Sequence, residues 1–397
     1  MAVMFGGMKR TRAAKNGTLR LVRKHPRETS WKTVGLAAIV LASACTAVPR
    51  STPPSTLAQA RPPAAPLSAP RPASTSPVFA ARPAPRPSPP PPALSAVIQS
   101  LGQSFDGKVG IAVERVDAGW TVSHNGSQLF PQQSVSKLWV AMALLDAVDR
   151  GKVSLTQPVT IQPKDLTLFH QPIAAMVKGP GGYTTSLSDL FFRAMTQSDN
   201  TANDSVLRSI GGSEAVRSFL ARRYIANVRF GPGERLLQSQ TAGLPWTQDL
   251  SQGRRFYTAR ANLPMSLRQK ALDDYLANPP DGASPVAIAH ALAKLKRGDM
   301  LSPASTAQLI ATMGEAKTGP QRVKAGVPRG WKYVHKTGTG QDLGSRSTGY
   351  NDVGIMTAPD GTSYAIVVMI GSTKQPIPVR WALMQEVART VAELHTS

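Results

Sequence analysis

The chain has 397 residues, 41% of them hydrophobic and 17% charged, which leaves room for a sizeable core and excludes a chain disordered throughout. One cysteine excludes an internal disulfide framework and a Cys-rich metal site, and the six histidines contain no HExxH pair. The net charge of +23 is uneven: residues 1–93 hold 14 Lys+Arg against one acid, the remaining residues 32 against 22, and these are scattered with no zinc-finger, RNP or helix-turn-helix signature, so nucleic-acid binding is not expected.

Residues 1–33 are polar and basic, and VGLAAIVLASA (34–44) follows as an apolar run of 11 residues. A bilayer span needs about 20 residues, so this length suits the core of an export signal. The run ends in Leu41-Ala42-Ser43-Ala44-Cys45, which resembles a bacterial lipoprotein signal with Cys45 as the lipid-bearing, membrane-tethered residue; ordinary cleavage near Ala44 is the alternative. Residues 1–45 are therefore read as an export signal that places the body in the periplasm. Residues 46–93 hold 16 of the 34 prolines, a composition that favours extended polyproline II and cannot bury a core. At about 3.1 Å per residue such a linker reaches on the order of 150 Å.

From residue 94 to 397 the pattern is that of one folded body. Residues 109–116 and 120–124 alternate around Asp117-Ala118-Gly119 and predict a hairpin. Residues 134–150 space Leu138, Met142, Leu145 and Val148 as a helix does and end at Gly151. Helical spacing recurs near 186–197, 201–209, 213–222, 266–277, 285–297 and 303–313. Strand patterns return at 331–337, 350–358 and 363–371, and a last helix is expected at 377–394. Short connections at both ends call for an antiparallel sheet. The expected fold is thus α/β (α+β): a five-stranded antiparallel sheet flanked by helices, with an all-helical lobe inserted into it and a cleft between the lobes.

Three motifs carry chemistry. In Ser134-Val135-Ser136-Lys137 a helical start puts both side chains on one face, one turn apart, so that the amine of Lys137 can take the proton that makes the Ser134 hydroxyl a nucleophile. Ser198-Asp199-Asn200 lies between two helical segments, where helix capping by these residue types is the competing reading. Lys-Thr-Gly occurs twice; Lys336-Thr337-Gly338 ends a strand and continues as Thr339-Gly340, whereas Lys317-Thr318-Gly319 reads as an incidental loop. The trio, in this order, is the set used by class A β-lactamases and penicillin-binding proteins. From about Lys108 onward the chain resembles a class A serine β-lactamase, as in FPQQSVSKLWVAMALLDAVDRGKVSL (130–155), SDNTANDSVLRSIGG (198–212) and RVKAGVPRGWKYVHKTGTG (322–340).

That resemblance implies hydrolysis of the β-lactam amide through an acyl-serine. It makes Ser134 the nucleophile, Lys137 its proton acceptor (alone or with a glutamate acting through water), and Ser198 the relay to the leaving nitrogen. Asn200 would hold the substrate's side-chain amide, Lys336, Thr337 and Gly338 its carboxylate edge, and the N–H groups of Ser134 and Thr339 the oxyanion. Glu234, in Glu234-Arg235-Leu236-Leu237-Gln238, fits the family's Glu-x-x-Leu-Asn with Gln238 in place of the Asn, and Arg322 stands where some members carry a carboxylate-supporting arginine. His335 stands where an acid is usual and Gln133 where a small residue is common. Residues 239–280 are 42 residues, longer than the family's loop needs. No cofactor or metal is implied, and a monomer is expected. Two other readings remain at this point: a divergent serine hydrolase of the same fold acting on esters or cell-wall peptides, and a non-hydrolytic penicillin-binding module.

Overall fold

The computed structural model describes residues 89–395. The expected export signal, Cys45 and nearly all of the proline-rich linker lie outside the described residues. Nine strands follow in order: β1 Lys108–Arg115, β2 Thr121–His124, β3 Phe130–Pro131, β4 Pro158–Ile161, β5 Tyr183–Ser186, β6 Gly282–Ala283, β7 Lys332–Gly338, β8 Ser347–Thr357 and β9 Ser363–Thr373. Five of them form one sheet in the order β2-β1-β9-β8-β7, every neighbouring pair antiparallel. The pairs β3–β6 and β4–β5 make two small ribbons. The stretch between β2 and β7 carries the inserted helices, as the sequence predicts.

Strand periodicity explains why the sheet is covered on both faces. Along β9, Ala365, Val367 and Met369 enter one core while Tyr364, Ile366, Val368 and Ile370 enter the other. The second core is closed by the first and last helices, Pro92–Ser104 and Ile377–Glu393. The first core holds the helices Lys137–Asp149 and Pro285–Arg297. Lys137 through Ala147 are all buried, so this helix is a central rod and not an amphipathic surface element. Serine caps fix several starts: Ser186, Ser284 and Ser302 accept N–H bonds from Asp189, Ala287 and Ser305 at 3.1, 3.2 and 3.2 Å.

Three helices escape the periodicity argument: Pro92–Ser104, Glu234–Thr241 and Arg255–Asn262. The second of these buries Glu234, Gln238, Ser239 and Thr241 beside Leu237, so its inward face is mostly polar and leaves no apolar stripe to read. The first begins in the proline run and buries Leu94, Ile98 and Gly102.

Candidate active site

The chain leaves β3 through a 3₁₀ turn, Gln133–Ser136, and the α-helix begins at Lys137. Ser134 therefore stands one turn ahead of the helix, a correction to the expected helical start at residue 134. The cause is Gln133, whose backbone is left-handed (φ +52°) and whose N–H donates to Asp281 Oδ2 at 2.7 Å. Asn351 on β8 pins the same turn by donating to the carbonyls of Pro131 and Gln132 at 2.9 and 3.0 Å.

Lys137 is the hub. Its ammonium donates to Ser134 Oγ and to Asn200 Oδ1, each at 2.9 Å, and to the carboxylate of Glu234. Lys137 and Glu234 are both buried. Gln238, one helical turn after Glu234, places Nε2 at 3.3 Å from Glu234 Oε2 and at 2.9 Å from Gln133 Oε1. Gln341 then donates to Gln238 through its carbonyl (2.8 Å) and side-chain oxygen (3.1 Å).

Asp199 and its neighbours divide two jobs that the sequence left as alternatives. Asp199 caps the helix Asn200–Ser209, accepting from Ala202 N at 2.9 Å, and its other oxygen accepts from Ile173 N at 2.6 Å. Ser198 (φ +61°) and Asn200 face the cleft. Non-glycine residues rarely adopt that backbone region, and strain of this kind clusters at functional sites.

On the far wall β7 is the sheet edge, and from His335 to Gly338 it is buried on both faces, so the alternation seen at Lys332 and Tyr333 stops there. Lys336 Nζ donates to Ser198 Oγ and to the Thr337 carbonyl, both at 2.9 Å. Burial, and then the nearby Lys137 charge, hold the Lys336 ammonium well below its ordinary pKa. Gly338 is required by close approach: a Cβ there would drive into the Gln132 carbonyl oxygen. Arg322 is buried, lies 3.8 Å over the Tyr350 ring, and donates to Gly338 O at 2.8 Å and Thr339 Oγ1 at 2.6 Å. His335 meets its acid across the sheet, with Nδ1 2.8 Å from Asp352 Oδ1.

Ser134, Ser198, Asn200, Thr337, Thr339 and Arg322 thus share one cleft of about 320 Å³ as parts of its walls. Lys137, Glu234, Gln238 and Lys336 sit directly behind those walls. One expectation is corrected: Lys317-Thr318-Gly319 is not incidental, because Thr318 lines the cleft and its hydroxyl lies 2.7 Å from that of Thr337. Phe169, His170 and Tyr257 also line it and had no motif to announce them. Among the described residues, no group of three or more His, Cys, Asp or Glu side chains is placed to hold a metal ion.

Asp204 was missed as well. Its two oxygens accept the N–H groups of Glu234 (3.0 Å) and Arg235 (3.4 Å), capping from outside a helix whose own N-cap, Gly233, has no side chain. Burial, with the Glu234 charge adding to it, raises the Asp204 carboxyl to about 6 from 3.8. A pKa raised in the fold means stability that is present below about 4 and lost as pH climbs through 6. Asp204→Asn cannot ionise, so it should be more stable than the parent above pH 6, with the gap closing by pH 4. Two pKa units correspond to about 3 kcal/mol, offset by about 1 kcal/mol for the weaker N–H bond. Melting temperatures of both chains at pH 8 and pH 4 check this; a gap independent of pH contradicts it.

The sequence profile of the beta-lactamase enzyme family matches residues 93–394. The chain belongs to that family. Among similar curated proteins, the extended-spectrum beta-lactamase PER-1 of Pseudomonas aeruginosa is 27% identical over 300 residues, covering 75% of this chain and 86% of that protein. Beta-lactamase VEB-1 of Pseudomonas aeruginosa is 24% identical over 297 residues, with 75% and 88% covered. A solved beta-lactamase from Chitinophaga pinensis superimposes with a TM-score of 0.61 at 28% identity, covering 76% of this chain and 98% of that one. An ancestral class A beta-lactamase gives 0.60 at 28% identity, with 76% and 100% covered. No helix among the described residues is long and apolar enough to cross a membrane.

Proposed function

We propose that this chain is a class A serine β-lactamase that opens the β-lactam amide through an acyl-serine intermediate, with the following residues in the named roles. Ser134 Oγ attacks the carbonyl carbon; the Lys137 ammonium first cedes a proton to the Glu234 carboxylate it touches, so that the neutral amine takes the Ser134 proton, or Glu234 takes that proton through water. The N–H groups of Ser134 and Thr339 hold the oxyanion, where each donor is worth about 10² to 10³ in rate. As the C–N bond breaks, Ser198 relays a proton to the leaving nitrogen, giving its own and taking one from the Lys336 ammonium that donates to its Oγ. Lys336, Thr337 and the Gly338 backbone receive the substrate carboxylate, and Arg322 supports that edge through Thr339. Asn200 receives the side-chain amide. Glu234 then takes a proton from the water that attacks the ester, with the Gln238 amide positioning that water, and the serine is regenerated.

The observation that carries this reading is the contact of one buried ammonium, Lys137 Nζ, with both the Ser134 hydroxyl and the Glu234 carboxylate on the floor of the cleft. That contact supports the roles proposed for the serine, the lysine and the glutamate, since a proton can pass among the three through Lys137. The purified chain should turn over a chromogenic cephalosporin many times per enzyme. A single stoichiometric burst would instead mark an acyl trap, and no reaction at all would leave only the divergent-hydrolase reading.

A further inference from the structure

We propose that Tyr257, contributed by residues 239–280, is a specificity-determining residue that builds an aromatic wall for the acyl group of the substrate. The proposal rests on the reading of the cleft given above. Tyr257 belongs to the helix Arg255–Asn262 and lines the same cleft as Ser134 and Asn200, with 41% of its surface exposed. Its ring is fixed from three sides. The hydroxyl donates to the Phe169 carbonyl at 3.0 Å. The buried Phe256 packs edge-on against both Tyr257 (5.3 Å, 69°) and Phe169 (6.5 Å, 78°). The Arg254 guanidinium lies 6.0 Å from the ring centre.

The loop that Tyr257 staples is itself tied to the motif side of the cleft. Asn200 donates its N–H to the His170 carbonyl at 2.9 Å and its Nδ2 to the Leu168 carbonyl at 3.0 Å. Between them sits Phe169 in the left-handed region (φ +73°), a conformation a phenylalanine keeps only when its surroundings impose it. The result places three flat rings, Phe169, His170 and Tyr257, on the wall beside Asn200. The opposite wall is hydroxyl and guanidinium: Thr318, Thr337 and Arg322. A substrate whose carboxylate goes to the second wall and whose amide goes to Asn200 must lay the group beyond that amide against the rings. Aryl groups gain from offset or edge contacts with such rings over and above their area, while a methyl group at the same place does not.

The test compares two penicillins that share nucleus and amide, one with a phenylacetamido and one with an acetamido side chain. The readout is the ratio of their kcat/KM values for the full chain and for Tyr257→Ala, Tyr257→Leu and Tyr257→Phe. The preference for the aryl substrate should fall roughly three- to tenfold in the Ala and Leu variants and stay within about twofold in the Phe variant, which keeps the ring and its packing on Phe256. Tyr257→Leu retains apolar volume, so it decides the matter if Tyr257→Ala fails to fold. An unchanged ratio in Tyr257→Leu, with both substrates turned over, overturns the inference and leaves the proposed function intact. Turnover of neither substrate by the parent chain would overturn the proposed function itself.

Discussion

Replacing Glu234 by alanine should yield an enzyme that acylates with one equivalent of β-lactam and then stalls, its release step slowed by about 10² to 10⁴. The two half-reactions make different demands on the site. Acylation needs an acceptor for the Ser134 proton, and without the carboxylate the neutral amine of Lys137, which in the parent lies 2.9 Å from Ser134 Oγ and from Asn200 Oδ1, is the group in place to take it. Deacylation needs water made nucleophilic beside the ester, and Gln238, which donates to the Glu234 carboxylate at Oε2, carries an amide that cannot accept the proton. Truncation to alanine deletes the charge that adds to the raised pKa of Asp204, but it also leaves the buried Lys137 without its carboxylate partner, so some stability should be lost and the adduct is read on protein first shown to be folded. Mass spectrometry of the variant after mixing with a penicillin should show the covalent adduct persisting long after the parent has returned to free enzyme. Normal turnover would remove Glu234 from the mechanism and return Lys137 to both roles.

The five-stranded sheet was legible because both its faces and both its ends obey simple periodicities, and the order hairpin, helical block, three strands, helix leaves few ways to pack. The motifs were legible from their residue types and their order, which carry the resemblance; the backbone that holds them, with Gln133 and Ser198 at positive φ and no room for a side chain at Gly338, was not. What the sequence hid is held by polar burial. The helix that carries Glu234 turns glutamate, glutamine, serine and threonine inward, which a search for apolar stripes passes over. Gln133 looked like a misplaced large residue before the nucleophile. It is instead a bridge, donating to Tyr275 Oη at 2.6 Å and accepting from Gln238 at 2.9 Å, and Tyr275 comes from the helix Met265–Ala277 within residues 239–280. Only a contact across more than a hundred residues explains it, and no local pattern encodes such a contact. His335 is the same lesson on a smaller scale, since its acid is supplied by the neighbouring strand at Asp352.

Lys137→Met should lose both the burst and the turnover, and it should destabilise the protein. Methionine nearly matches the length of the lysine stem, so the packing of a helix buried on every side is kept while the charge is lost. Glu234 is then a carboxylate in the interior with its ammonium partner gone; breaking a buried pair in this way costs about 3–5 kcal/mol, because one charge is left without compensation. The Ser134 hydroxyl loses the amine that touches it, so the acyl-enzyme cannot form at a useful rate. The double variant Lys137→Met/Glu234→Gln removes the stranded charge and should recover most of the lost stability while remaining inactive. Urea unfolding of the three chains separates the two effects, and a chromogenic cephalosporin with a mass-spectrometric search for the adduct separates the two half-reactions. If Lys137→Met were as stable as the parent, the contact between the ammonium and Glu234 would not be the internal ion pair described here. If it still gave a full burst, the serine would owe its activation to another group, and the reading of this cleft would have to begin again from Glu234.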